Sequence, residues 1–201
     1  MLASGSAPRG LKGHMLEVEV KYRNADRTAA VATLLEWGAT LAQDRTDLDL
    51  YFQAPDRDLK ASDEAFRLRR IGPKNCLTYK GPRRDTETKT RPEIEVPLGD
   101  GDTAAADMQR LLVALGYTPV TTVKKKRRVY QFARDGFDLE ACFDTVDGVG
   151  AFVELEILAD EAQYDAAKTV LLAAATELGL TEQEPRSYLS MVLQTQGSPL
   201  A

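Results

Sequence analysis

The sequence predicts an α+β protein built on an antiparallel, closed or nearly closed β-barrel of about eight strands, with helices packed outside it. Three observations predict this. Acidic residues recur at every second position in LEVEVKY (Glu17, Glu19, with Lys21), RPEIEVP (Glu93, Glu95) and FVELEI (Glu154, Glu156). Cations recur with the same period in FRLRR (Arg67, Arg69), at the end of CLTYK (Lys80) and in VKKKRRVY (Lys125, Arg127). Hairpin turns join most of the segments between. Side chains alternate between the two faces of a strand, so each segment puts its charges on one face and residues such as Val18, Val20, Val153, Leu155 and Ile157 on the other. One such strand would be an ordinary solvated face. Six of them describe a charged interior, with the apolar faces turned outward against helices.

The elements follow in order. A strand at Leu16–Tyr22 leads to a helix of about three turns capped by Asp26, with Val31, Leu34 and Leu35 on its apolar face and Gly38 as its stop. DLDLYF (47–52) is a strand, QAPDRDLKASDEA a polar turn, and Phe66–Ile71 and Cys76–Lys80 are strands joined by GPKN. GPRRDTETKT has no apolar periodicity and reads as a long mobile loop between Lys80 and Arg91, carrying Arg83, Arg84 and Lys89. The strand Glu93–Leu98 precedes a helix at Asp102–Leu115, whose core face is read as Met108, Leu111, Leu112 and Leu115. Strands at Val123–Phe132, Phe137–Asp144 and Phe152–Leu158 are joined by RDG and DGVG. A long helix then runs from about Asp160 to Leu178, and a short one from Ser187 to Leu193. The helix ends LLEWGA, LLVALGY and ATELGL are alike, as two related halves or shared capping chemistry would both produce.

Composition narrows the function. The chain has 201 residues, 43% apolar and 28% charged, enough for a single sizeable core. Its net charge of -5 argues against general nucleic-acid binding. No apolar run approaches a membrane span and no secretory signal pattern is present. Cys76 and Cys142 lie far apart without metal-binding spacing, as reduced core thiols of a cytoplasmic protein would. Residues 1–14 read as a leader, either an appended tag or a loose native arm, with His14 outside the functional set, and residues 15–195 as one domain. Homodimerisation is open, with no segment that specifies it.

The charges themselves point to a polyanion with metal ions. Glu17, Glu19, Glu93, Glu95, Asp144, Glu154 and Glu156 are matched by seven cations, Lys21, Arg67, Arg69, Lys80, Arg91, Lys125 and Arg127. Buried charges persist when paired, hydrogen-bonded or bound to metal. A triphosphate brings about four negative charges and two divalent ions about four positive ones, so loading both keeps the balance. The run Lys124–Arg128 splits by strand alternation, Lys125 and Arg127 inward and Lys124, Lys126 and Arg128 outward. Tyr51, Tyr79, Tyr130, Phe143 and Phe152 read as core or lumen wall, Trp37 as packing, and Gly148 and Gly150 as turn formers.

EVEVK (17–21) resembles the ExExK signature of the CYTH superfamily, which includes class IV adenylate cyclases, thiamine triphosphatases and inorganic triphosphatases. DLYF (49–52), RLRR (67–70), YKGP (79–82), RPEIE (91–95), KKRRVY (125–130), FDTVDGVGAFVELE (143–156) and EPRSY (184–188) are similar to its later motifs and come in the same order. The last of these, with LGY and VDGVGAF, resembles the bacterial class IV cyclase branch most. The resemblance implies a triphosphate tunnel of eight antiparallel strands that binds a nucleoside triphosphate or another triphosphate with Mg²⁺ or Mn²⁺. It implies Glu17, Glu19, Asp144, Glu154 and Glu156 as metal ligands, and Lys21, Arg69, Lys80, Lys125 and Arg127 as phosphate ligands. Arg67 is a second choice for phosphate, and Arg186 would fold across one tunnel mouth. Glu19 and Asp144 are the candidate catalytic groups, the proton going to Glu19 or to a hydroxide on the ion. The activity implied is conversion of ATP to cyclic AMP and pyrophosphate, with hydrolysis of tripolyphosphate or thiamine triphosphate as the alternative. Non-catalytic binding of polyphosphate or an RNA 5′ end is the contrasting class.

Overall fold

The computed structural model describes residues 16–23 and 25–197. The expected leader, His14 included, lies outside the described residues. The elements are β1 (Leu16–Arg23), α1 (Arg27–Glu36), β2 (Thr40–Gln53), β3 (Ala65–Ile71), β4 (Lys74–Lys80), β5 (Arg91–Pro97), α2 (Gly101–Ala114), β6 (Thr118–Arg134), β7 (Phe137–Val146), β8 (Gly150–Ala159), α3 (Tyr164–Glu177), β9 (Glu182–Gln183) and α4 (Tyr188–Thr195). A short 3₁₀ turn, Glu161–Gln163, leads into α3.

Eight strands hydrogen-bond in the order β5-β4-β3-β2-β6-β7-β8-β1, every pair antiparallel, and β1 pairs back to β5 to close the barrel. That closing ladder is short, with Leu16 opposite Pro92 and Glu17 opposite Arg91. The rest of the β1 edge is covered by other backbone: the Lys89 N–H donates to the Glu19 carbonyl, the Glu184 N–H to the Lys21 carbonyl, and β9 pairs with Tyr22 and Arg23. GPRRDTETKT is therefore not a free loop. Asp85 accepts hydrogen bonds from the N–H groups of Glu87 and Thr88, and Thr88, Lys89 and Thr90 are buried in the seam between β5 and β1. A segment without periodicity is ordered because an unfinished strand edge offers it hydrogen bonds.

The β6–β7 hairpin shows the local chemistry of the barrel. Asp135 and Gly136 have φ of 49° and 82°, the two positive values of a turn whose twist matches that of the flanking strands. The Asp-Gly pair fits because Gly bears no Cβ and Asp tolerates this region better than most residues. At α1, the Asp26 carboxylate accepts from the N–H groups of Thr28 and Ala29, as its predicted cap role requires.

The apolar faces point outward. Val18, Val20, Phe143, Val153, Leu155 and Ile157 pack beneath Leu34 of α1 and Leu171 and Ala174 of α3. On the other side of the barrel, α2 covers Phe52 and Leu68 with Ala105 and Leu112. This helix covers less of the sheet than its sequence suggests: Leu111 and Leu115 are 50% and 62% exposed, and Leu35 of α1 is 56% exposed. The contact stripe of α2 runs through Ala105, Met108 and Leu112, leaving the neighbouring leucines on the solvent side. The fourth helix departs from the outside packing of the other three. Tyr188, Met191 and Val192 of α4 pack on Tyr51, Val123, Val146 and Phe152, and the Tyr188 hydroxyl reaches Asp144 in the lumen, so α4 caps one mouth of the barrel.

Candidate active site in the barrel lumen

The charged faces line a cavity of about 1750 Å³. β1 supplies Glu17, Glu19 and Lys21, at 8%, 6% and 1% exposure. Alternation alone puts them inward, because Val18 and Val20 occupy the outer core.

Much of the lumen is organised by cross-strand partners. Arg127 and Asp144 face each other on β6 and β7, and Arg127 binds Asp144 with two parallel bonds, Nε to Oδ1 at 2.7 Å and Nη2 to Oδ2 at 2.6 Å. The Lys125 ammonium lies 3.3 Å from Asp144 Oδ2, and the Tyr188 hydroxyl donates to the same oxygen at 2.9 Å. Arg127 also hydrogen-bonds Glu154. Asp49 and Arg69 form the equivalent fork across β2 and β3, at 2.7 and 2.8 Å, with Arg67 at 3.3 Å from the same carboxylate. Lys80 pairs with Glu17 and, at 3.0 Å, with Glu93. Lys89 donates to Glu19 at 2.9 Å. The Lys21 ammonium donates to the Arg186 carbonyl and sits 4.0 Å from the centre of the Tyr188 ring.

Glu17, Glu19 and Glu156 form a different kind of group, with one oxygen from each lying within 4.8 Å of the others. Glu19 and Glu156 are direct register partners across β1 and β8. Like charges placed opposite each other on neighbouring strands destabilise a sheet unless a cation joins them. Burial and mutual repulsion disfavour their charged forms. Burial pushes Glu17 up to about 7 against the pull of Lys80, and burial pushes Glu156 up to about 8 against Arg127, with Glu17, Glu154 and Glu19 adding repulsion. The opposite holds beside Arg127. Burial disfavours the charge on Asp144 and Glu154, yet Arg127 overcomes it, holding Asp144 well below the usual carboxylate range and Glu154 down to about 2. Burial lowers the Lys21 ammonium well below its ordinary value, and the nearby Lys89 charge lowers it further.

The five carboxylates taken from the sequence as one ligand set thus stand in two groups. Glu17, Glu19 and Glu156 converge on one another, whereas Asp144 and Glu154 are held by Arg127. The predicted phosphate ligands Lys21, Arg69, Lys80, Lys125 and Arg127 are all buried in the lumen, and Arg67 is nearly so at 11% side-chain exposure. Arg186 borders the cavity at the capped mouth, with its guanidinium on Glu184 at 2.9 and 2.7 Å and on Gln194 at 2.9 Å. Among the described residues that line the cavity, buried donors remain without a hydrogen-bond partner at Arg67 Nε and Arg91 Nε.

Four lumen residues stand outside the set expected from the sequence. Asp47 and Asp49 carry the same two-residue period as the recognised strands, so DLDLYF held the signal. Tyr188 lay within EPRSY but was given no part. Lys89 reaches the lumen from a segment with no strand pattern, and nothing in its neighbours marks it.

A family model for the CYTH domain matches residues 15–188. The chain belongs to the CYTH domain family. Among curated relatives, it is 31% identical over 185 residues to the adenylate cyclase CyaB of Aeromonas hydrophila, covering 89% of this chain and 90% of that one. It is 37% identical over 142 residues to the Methanocaldococcus jannaschii protein MJ0240, provisionally named an adenylate cyclase, covering 71% of this chain and 77% of the other. The PH1819 protein of Pyrococcus horikoshii superposes with a TM-score of 0.75 at 33% identity, covering 89% of this chain and 98% of that chain. No helix among the described residues of this CYTH protein is long and apolar enough to cross a membrane.

Proposed function

We propose that this CYTH-domain enzyme binds a nucleoside triphosphate with Mg²⁺ or Mn²⁺ in its lumen and converts ATP to cyclic AMP and pyrophosphate. The observation that carries this reading is the convergence of Glu17, Glu19 and Glu156 beside a ring of buried lysines and arginines.

The residues fit a hard divalent ion. Three carboxylates within 4.8 Å offer only oxygen donors, and burial holds two of them toward the neutral form although Lys80 and Arg127 pull the other way. Glu17, Glu19 and Glu156 would hold the ion, which when bound supplies charge stabilisation and alignment at the reacting phosphorus. Arg69, Lys80, Lys125 and Arg127 bind phosphate oxygens from three strands, Arg through the guanidinium N–H groups that Asp49 and Asp144 leave open and Lys as a point charge. Arg67 and Arg91, each with a buried unpartnered N–H, extend the cationic wall. Asp144 acts by position: it fixes the plane of Arg127 and anchors Lys125. In the cyclase reaction the ribose 3′-oxygen forms a bond to the α-phosphorus, the bond from that phosphorus to the pyrophosphate breaks, and the hydroxyl proton goes to Glu19. Burial and Glu154 work against ionisation of Glu19, but Lys89, Lys80 and Lys21 keep its carboxylate below its usual range. Glu19 is thus ionised before it takes the proton. A cytoplasmic setting is the natural source of ATP.

A second reading, hydrolysis of tripolyphosphate or thiamine triphosphate, is favoured by one feature: the cations stand around much of the circumference, on β1, β3, β4 and β6, and so serve either end of a triphosphate. A pure anion binder is disfavoured, since the three converging carboxylates would only repel its ligand.

The test is to incubate the protein separately with ATP, tripolyphosphate and thiamine triphosphate, with Mg²⁺ or Mn²⁺, and to resolve the products by ion exchange beside Glu19→Gln. Cyclic AMP and pyrophosphate, lost in the variant, are expected. Orthophosphate without cyclic AMP would establish the hydrolase instead, and no turnover of any of the three would leave the binder.

A further inference from the structure

We propose that the lumen holds a second cation site of different chemistry, formed by Glu140, Cys142 and Glu156 and selective for thiophilic divalent ions of the Zn²⁺, Co²⁺ and Cd²⁺ class. It lies next to the all-oxygen group and shares Glu156 with it.

Register builds the site. Glu19, Glu156 and Glu140 are successive partners across β1, β8 and β7, so three carboxylates stand in one row of the barrel wall. Cys142 follows Glu140 on the same face, and the Cys142 sulfur and one oxygen each from Glu140 and Glu156 all lie within 4.8 Å of one another. The thiol is free and fully buried, and its sulfur makes no hydrogen bond among the described residues. It is aimed into the lumen beside two anions, because the outward positions of β7 are taken by Leu139, Ala141 and Phe143 in the outer core.

The carboxylates are short of cationic partners. Glu140 accepts from the neutral Gln131 amide at 2.7 Å. Glu156 has Arg127 Nη1 at 3.5 Å, and that guanidinium is already committed to Asp144 through two shorter bonds. A buried sulfur with two under-compensated carboxylates is a donor set that hard Mg²⁺ does not choose and that Zn²⁺ or Co²⁺ does. On binding, the thiol proton passes to solvent and the thiolate becomes the third protein ligand. Glu140 lies toward the mouth away from α4, nearer the Asp135–Gly136 turn than Cys142 does, which gives the ion a way in.

The inference shares Glu156 with the proposed Mg²⁺ or Mn²⁺ group, but it is read at sulfur, in which that group has no part. The experiment is to titrate the full-length protein with Co²⁺ in excess Mg²⁺ and record the near-ultraviolet spectrum. A thiolate-to-cobalt charge-transfer band that saturates at stoichiometric Co²⁺ is expected, lost in Cys142→Ser and retained in Cys76→Ser. Glu140→Gln should weaken cobalt binding about tenfold or more, since even indirect partners of a bound metal cost that much. Absence of the band from the wild-type protein, or its survival in Cys142→Ser, overturns the proposal. If Cys142→Ser does not fold, Glu140→Gln decides, and an unchanged cobalt affinity there overturns it.

Discussion

Replacing Asp144 by Ala should cost this barrel more than almost any other truncation of one lumen side chain. Asp144 is 0% exposed and accepts two parallel bonds from Arg127, the ammonium of Lys125 at 3.3 Å and the hydroxyl of Tyr188 at 2.9 Å. Without it, Lys125 keeps Asp47 at 3.9 Å and the Tyr188 ring at 5.2 Å, and Arg127 keeps Glu154 with Glu156 at 3.5 Å. Removing one partner of a buried ion pair leaves the other charge uncompensated, at a cost of about 3–5 kcal/mol. For a domain of this size each kcal/mol lowers the melting temperature by about 2–4 °C, so the expected loss is about 6–20 °C. Urea unfolding and thermal melts of wild type and Asp144→Ala measure it, with Asp144→Asn intermediate. Tripolyphosphate should stabilise Asp144→Ala more than wild type, because it supplies the anion the variant lacks. A loss below about 1 kcal/mol, the level of an exposed pair, would refute the view that Asp144 organises the cationic wall.

Three further outcomes are expected. Tyr188→Phe removes one hydrogen bond to a charged acceptor, about 1.5–3 kcal/mol, and its melting temperature should fall by less than that of Asp144→Ala. Lys89→Ala removes a buried lumen cation and should raise KM for the triphosphate by about tenfold or more, as steady-state kinetics would show. Without added metal, stability should peak in mildly acid solution. Glu17 and Glu156 are raised to about 7 and 8, so their contribution is full below the unfolded value near 4.5 and is lost as pH rises through those folded values. Asp144 and Glu154 are depressed, so theirs is present above their unfolded values and lost as pH falls below them. Thermal melts across pH, with and without Mn²⁺, should show the metal stabilising most on the alkaline side.

The barrel was legible because alternation is a local signal that survives folding. Val18 and Val20 against Glu17 and Glu19 give the two faces of β1, and the split of Lys124–Arg128 follows the same rule. The Asp135–Gly136 turn was legible for the same reason, since its backbone angles select its residues. What escaped depends on contacts between distant parts of the chain. The pairing of Glu19 with Glu156 requires the register of β1 on β8, and the capture of Asp144 by Arg127 requires that of β6 on β7. Two carboxylate groups with opposite electrostatics therefore looked like one. Lys89 enters the lumen only because β5 pairs with β1 for two residues and leaves an edge for the neighbouring backbone. The place of α4 depends on Tyr188 finding Asp144, which an amphipathic pattern does not encode.

The most direct test of the account is a calorimetric titration of tripolyphosphate into wild-type protein and Glu156→Gln, each with and without Mn²⁺. The account predicts that Mn²⁺ strengthens binding to wild type, and that Glu156→Gln still binds tripolyphosphate through its cations but with most of the metal dependence gone. Tripolyphosphate that fails to bind, or that binds wild type and variant with the same response to Mn²⁺, would contradict a lumen built to join a polyphosphate to a carboxylate-held ion.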